Sequence, residues 1–138
     1  MTAMRFLDTN ILLYKVSQDP AEAEKQAIAA EILEADDPYL SVQVLQEFYV
    51  QATRPNRADR LLHEEACGLI ESWKRYPIVD ISTLLFDAAL QAKERWQLSY
   101  WDAAILEAAR LANCETLLSE DLNHGQSYEG VRVVNPFV

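Results

Sequence analysis

The chain has 138 residues, half of them apolar, with 22 acidic side chains against 12 basic ones and a net charge of −10. This is the length of one domain with enough apolar content to bury a core, which excludes a disordered tail. The negative balance argues against broad, passive nucleic-acid binding, and no apolar run nears the roughly 20 residues of a membrane helix.

Residues 4–7 read as a short apolar strand, after which Thr9-Asn10 open a helix to about residue 16. The Ala- and Glu-rich stretch 21–35 predicts a second helix, broken by Asp36-Asp37-Pro38. Residues 39–41 form a brief strand and 42–53 a third helix. Arg54-Pro55 ends that helix, because the residue before proline avoids the α region. A fourth helix spans 59–75, and Pro77 leads into a strand at 78–80. Helices over 82–96 and 101–112 follow, then strands at 115–118 and 131–134. Strands separated by helices predict a parallel sheet covered on both faces. No repeat, low-complexity tract or linker divides the chain, so residues 1–138 read as one domain, and the opening residues lack the signal-peptide pattern. Cys67 and Cys114 show no CxxC spacing and no His cluster, and read as buried thiols of a reducing cytoplasm.

Four acids stand where surface decoration is not expected. Asp8 closes the first strand, Asp121 follows the strand at 115–118, and Asp102 precedes Ile105, Leu106 and Ala109 on one helix face. Glu47 lies opposite a stripe of Val42, Leu45, Tyr49 and Ala52, which fits a cleft or bulk solvent equally well. In open α/β sheets, ligands bind beyond the carboxyl ends of the strands. Asp8 and Asp121 sit at such ends, and the helices carrying Glu47 and Asp102 begin near the same edge. Converging carboxylates repel one another unless a cation neutralises them. Scattered oxygen ligands of this kind suit Mg²⁺ or Mn²⁺, which add substrate phosphates to the shell. The set therefore points to metal-dependent phosphoryl transfer.

Other roles compete. Asp8 fits a helix N-cap, and Asp102 fits a capping box with Ser99. Glu120 rivals Asp121, but strand alternation puts the two on opposite sides. His124 reads as a turn residue and His63 as solvated. Trp73, Trp96 and Trp101, near helix ends, read as packing residues and not as base-stacking platforms. Arg54, Arg57 and Arg60 form the only local basic cluster and are candidates for RNA-phosphate contact. Glycine-rich phosphate cradles are absent, and no Ser, His and Asp set has nucleophile-elbow context.

Phe6-Leu7-Asp8-Thr9-Asn10-Ile11-Leu12-Leu13-Tyr14 resembles the opening of PIN domains, especially the VapC-type toxins of toxin–antitoxin pairs. Segments 41–49, 99–105 and 117–122 resemble their second, third and fourth acidic motifs, in order along nearly the whole chain. The resemblance implies a three-layer α/β/α domain with a parallel five-stranded sheet in order 3-2-1-4-5. It implies Mg²⁺-dependent endoribonuclease activity (Mn²⁺ substituting), a homodimer, and inhibition by a small antitoxin with a basic segment. The site residues it carries over are Asp8, Glu47, Asp102 and Asp121 as catalytic metal ligands, with Thr9, Asn10 and Ser119 as polar helpers. Attack by water would leave 5′-phosphate and 3′-hydroxyl ends, with Glu47 or Asp121 orienting the water.

Two readings from other classes compete. A haloacid-dehalogenase-like phosphatase also places Asp after its first strand, but needs a second Asp two residues on, where this chain has Asn10. A non-catalytic RNA- or partner-binding PIN scaffold would gain nothing from four mutually repelling carboxylates.

Overall fold

In the computed structural model, which describes residues 4–138, β1 (Arg5–Leu7) lies inside a six-stranded sheet and the chain winds outward from it. Helix α1 (Thr9–Lys15), a 3₁₀ turn at Pro20–Glu22 and α2 (Ala23–Glu34) lead to β2 (Pro38–Ser41), which pairs parallel to β1. Helices α3 (Val42–Ala52) and α4 (His63–Trp73) lead to β3 (Ile78–Val79), parallel to β2. Helices α5 (Thr83–Trp96) and α6 (Tyr100–Leu111) then return the chain to β4 (Thr116–Leu118), on the other side of β1. The sheet ends with β5 (Ser127–Tyr128) and β6 (Val131–Val134), giving the order β3-β2-β1-β4-β6-β5.

The direction of winding reverses at β1. With right-handed crossovers, α1–α4 cover one face and α5–α6 the other. The helix contacts follow that division: α1 packs on α2 and α3, whereas α5 pairs with α6. Strands buried on both faces need consecutive apolar residues. Phe6-Leu7 and Leu117-Leu118 supply them, joined in the core by Ile11, Leu12, Leu40, Phe48, Leu106 and Val133.

The five parallel strands keep the order expected from the resemblance, and the correction is an added strand. Tyr128 pairs with Val131 across Glu129-Gly130, both at positive φ (47° and 90°), so β5 folds back antiparallel on β6. Such a two-residue loop matches the twist of its strands. The fourth helix starts at His63 and not at residue 59. Asp59 instead accepts from the Gln18 amide at 2.9 Å and from Arg57 Nε at 2.9 Å, holding residues 57–60 in turns. On α3 the buried stripe is Val44, Leu45, Phe48 and Ala52, with Val42 and Tyr49 only half-buried. Both cysteines are free, and Cys67 is exposed where a buried thiol was expected; Cys114 is buried. Among the described residues no helix is long and apolar enough to cross a membrane.

Candidate active site

Register places the first two polar groups. Arg5, Phe6 and Leu7 pair with Thr116, Leu117 and Leu118, so Asp8 and Ser119 are the next residues of adjacent strands. This is the crevice beyond the carboxyl ends at the reversal of strand order, where open α/β sheets hold ligands. The Asp8 amide donates to the Leu118 carbonyl at 3.0 Å, and Ser119 Oγ donates to Asp8 Oδ2 at 2.7 Å. The same hydroxyl accepts from the Asp121 amide at 3.1 Å, so the fully buried Ser119 ties the two acids together. Asn10 Nδ2 donates to Asp121 Oδ2 at 3.2 Å, and Asn10 Oδ1 accepts from the Glu120 amide at 3.4 Å. Asn10 thus holds the loop after β4 at the position where a dehalogenase-like phosphatase would need an acid.

The remaining acids arrive on helices. Ser41 caps α3 by accepting from the Val44 amide at 3.2 Å, which fixes the helix start beside β1 and carries Glu47 to the pocket. Ser99 caps α6 by accepting from the Asp102 amide at 3.1 Å. The reciprocal half of a capping box, in which the Ser99 amide would donate to the Asp102 carboxylate, does not form. Asp8 does act as the α1 cap, its Oδ1 accepting from the Thr9 amide at 2.7 Å, while it also lines the pocket. The capping and cleft roles of Asp8 coexist in one side chain.

All four acids line one cavity of about 200 Å³, together with Thr9, Asn10, Gln51, Trp101 and Ile105. Their electrostatics record the crowding. Burial pushes the Asp8 carboxyl up to about 7, with the charges of Asp121 and Glu47 adding to it and the Ser119 and Thr9 hydrogen bonds opposing. Burial likewise raises Glu47, with Asp102 and Asp121 adding to the effect. Asp102 is raised by burial and by Asp121. Glu120 stands apart, as alternation requires: it accepts from Tyr14 Oη at 2.6 Å and from Lys25 Nζ at 2.5 Å.

The donor set fits a hard divalent cation. It is all oxygen, and Thr9 Oγ1 is buried at the pocket wall, near enough to the Glu47 carboxylate to oppose its rise but without a hydrogen bond of good geometry among the described residues. Among those residues no three His, Cys, Asp or Glu side chains assemble into a ready metal shell. Mg²⁺ does not require one, since it keeps several waters and is held by one or two carboxylates plus substrate phosphate.

Residues outside the acidic set fall differently from the sequence reading. Trp73 is buried and Trp96 half-buried, but Trp101 is 64% exposed and borders the acids, so it is not a packing residue. Arg54 lines an adjoining groove with Trp101, whereas Arg57 pairs with Asp59 beside a separate groove and Arg60 is simply exposed. Gln43, which sequence reasoning passed over, is buried and donates Nε2 to Glu47 Oε1 at 3.0 Å and to the Trp101 carbonyl at 3.2 Å. Its position four residues before Glu47, one helical turn, is the signal that could have found it. His63 is exposed, with Nδ1 2.9 Å from Tyr49 Oη, and His124 Nδ1 accepts from the Asn135 amide at 2.9 Å.

A comparison with curated protein sequences gave no match. Solved structures share the fold. A toxin–antitoxin complex from Klebsiella pneumoniae is 22% identical with a TM-score of 0.71, covering 98% of each chain. VapC20 of Mycobacterium tuberculosis, a toxin that cleaves the sarcin–ricin loop, is 17% identical with a TM-score of 0.65, over 85% of this chain and 89% of its own. VapBC2 of Rickettsia felis, bound to a DNA fragment from its promoter, is 15% identical with a TM-score of 0.64, over 94% of this chain and 96% of its own. At these identities the likeness shows the fold alone. The sequence itself matches the PIN domain profile over residues 5–127, most of its length. The chain belongs to the PIN domain family.

Proposed function

We propose that this protein is an endoribonuclease dependent on Mg²⁺ or Mn²⁺ and the toxin of a toxin–antitoxin pair, acting in the cytoplasm as a homodimer. The observation that carries this reading is the meeting of Asp8, Glu47, Asp102 and Asp121 in one pocket at the reversal of strand order. The cleavage attributed to the similar M. tuberculosis toxin supports RNA as substrate, and the similar complexes support an antitoxin partner.

Asp8 and Asp121, joined through Ser119, would hold the cation with Glu47 and Asp102, and Thr9 Oγ1 offers a further oxygen at the pocket wall. When bound, the cation supplies Lewis-acid charge for the scissile phosphate and lowers the pKa of water at the site. Glu47 or Asp121 orients the attacking water. Asn10 and Gln43 keep the Asp121 and Glu47 carboxylates aimed into the pocket. No side chain need act as a covalent nucleophile. A small antitoxin would inhibit by placing Arg or Lys among the same carboxylates, a charge-assisted contact of the strongest kind.

The test is incubation of purified protein with single-stranded and loop-containing RNA. Cleavage is expected with Mg²⁺ or Mn²⁺ and silence in EDTA. Full activity in chelator, or no cleavage of any RNA with metal present, would overturn the proposal.

A further inference from the structure

The groove beside the carboxylates carries an aromatic side chain that metal chemistry does not use. Trp101, in the first turn of α6, is 64% exposed. The residue lines both the carboxylate pocket and a groove of about 370 Å³ along α3, shared with Gln46, Val50, Gln51 and Arg54. Its backbone is fixed and its ring has a packing partner. The buried Gln43 donates to the Trp101 carbonyl at 3.2 Å, and Tyr100 packs edge-on against the indole with centroids 4.9 Å apart. Trp101 immediately precedes Asp102, and its carbonyl shares the Gln43 amide with Glu47. An exposed, anchored aromatic face therefore stands at the rim of the site.

We propose that Trp101 stacks an unpaired base of the RNA next to the scissile phosphate, with the Gln46 and Gln51 amides reading that base's edge and Arg54 meeting a neighbouring phosphate. This rests on the ribonuclease reading above and names the part of the substrate that the site selects. A chain of net charge −10 has little broad basic surface with which to bind RNA by counterion release. Stacking on an aromatic ring gives affinity that does not depend on charge, and every base offers a π face. Carboxamides present both donors and acceptors, as reading the edge of a splayed base requires. The groove volume lies within the range of roughly 300–1,000 Å³ typical of ligand sites. Glu47, Gln51 and Trp101 line both cavities, which joins the carboxylates to the groove that Arg54 borders.

Trp101→Ala and Trp101→Phe test it, with folding checked by circular dichroism. In an active wild type, Trp101→Ala should raise KM about 5- to 150-fold, the range that base stacking spans, with a smaller change in kcat. It should also blur the base preference mapped beside the cut, and Trp101→Phe should recover much of both. A second readout needs no cleavage. A short phosphorothioate oligoribonucleotide titrated in Mg²⁺ should quench tryptophan emission in the wild type and not in Trp101→Phe. Unchanged KM, base preference and quenching in the variants of an active enzyme would overturn the base subsite and leave the ribonuclease reading standing. Quenching by a wild type that cuts no RNA would do the reverse. If neither variant alters RNA binding but Trp101→Ala splits a dimer in sedimentation, the indole belongs to an interface between copies and the proposal falls.

Discussion

Asp8 concentrates the site's energetics in one side chain. The residue is 5% exposed, and burial pushes its carboxyl up from 3.8 to about 7. Below an ordinary carboxylate pKa both folded and unfolded chains hold the proton. Between that range and 7 only the unfolded chain releases it, so metal-free protein loses stability as pH rises through this window. Glu47 and Asp102, also raised, act with the same sign. The melting temperature in EDTA should therefore fall between about pH 4 and about pH 7. A divalent cation favours the charged carboxylates and competes with the proton, so the gain in melting temperature from Mg²⁺ should grow over the same interval. A gain that does not vary with pH would mean that Asp8 is not a ligand.

At the scale of the element, α6 separates capping from chemistry. Ser99→Ala removes the hydroxyl that accepts from the Asp102 amide and should cost about 1 kcal/mol of stability while sparing cleavage. Asp102→Asn leaves that cap intact, because the backbone amide makes the bond. It should abolish cleavage, lower the Mg²⁺ gain in melting temperature and relieve repulsion of roughly 1 kcal/mol in the metal-free protein. Thermal melts of both variants in EDTA and Mg²⁺, beside an RNA assay, decide between the roles. At the far edge of the sheet, Gly130→Ala meets open space but keeps a φ of 90°, so it should cost on the order of 1 kcal/mol in backbone strain without touching cleavage.

These elements also show what the sequence could carry. Apolar dipeptides and helix breakers marked β1, β2 and β4 and most helix ends, and the acids at the strand ends placed the cleft. The β5–β6 hairpin was not legible because Glu129-Gly130 lacks the usual Asn-Gly or Asp-Gly signal. The start of α4 was missed because Asp59 is held by the Gln18 amide, a contact 41 residues away in sequence. On α3 the expected stripe shares Leu45 and Ala52 with the buried one; Val42 and Tyr49 follow helical spacing as well as Val44 and Phe48 do, and only the covering neighbours choose. The exposure of Trp101 and Cys67 is not legible for the same reason, as residue type alone does not fix exposure.

At the scale of the whole molecule, an excess of ten negative charges meets a site built of carboxylates. The combination favours a basic partner and, for the proposed RNA substrate, would leave affinity to metal, stacking and local contacts. A basic segment bound in the carboxylate pocket should lose affinity as salt rises and when Glu47→Gln removes one charge, as a titration at two ionic strengths would show. Salt-independent binding would place the partner elsewhere. In the proposed mechanism, four converging acids hold a cation and water attacks the RNA phosphate. Mapping the ends of RNA cut by wild type and by Asp102→Asn, each in Mg²⁺ and in EDTA, tests it most directly. The expected result is 5′-phosphate and 3′-hydroxyl ends from wild type in Mg²⁺ alone. Cleavage in EDTA, undiminished cleavage by Asp102→Asn, or 2′,3′-cyclic phosphate ends would contradict it.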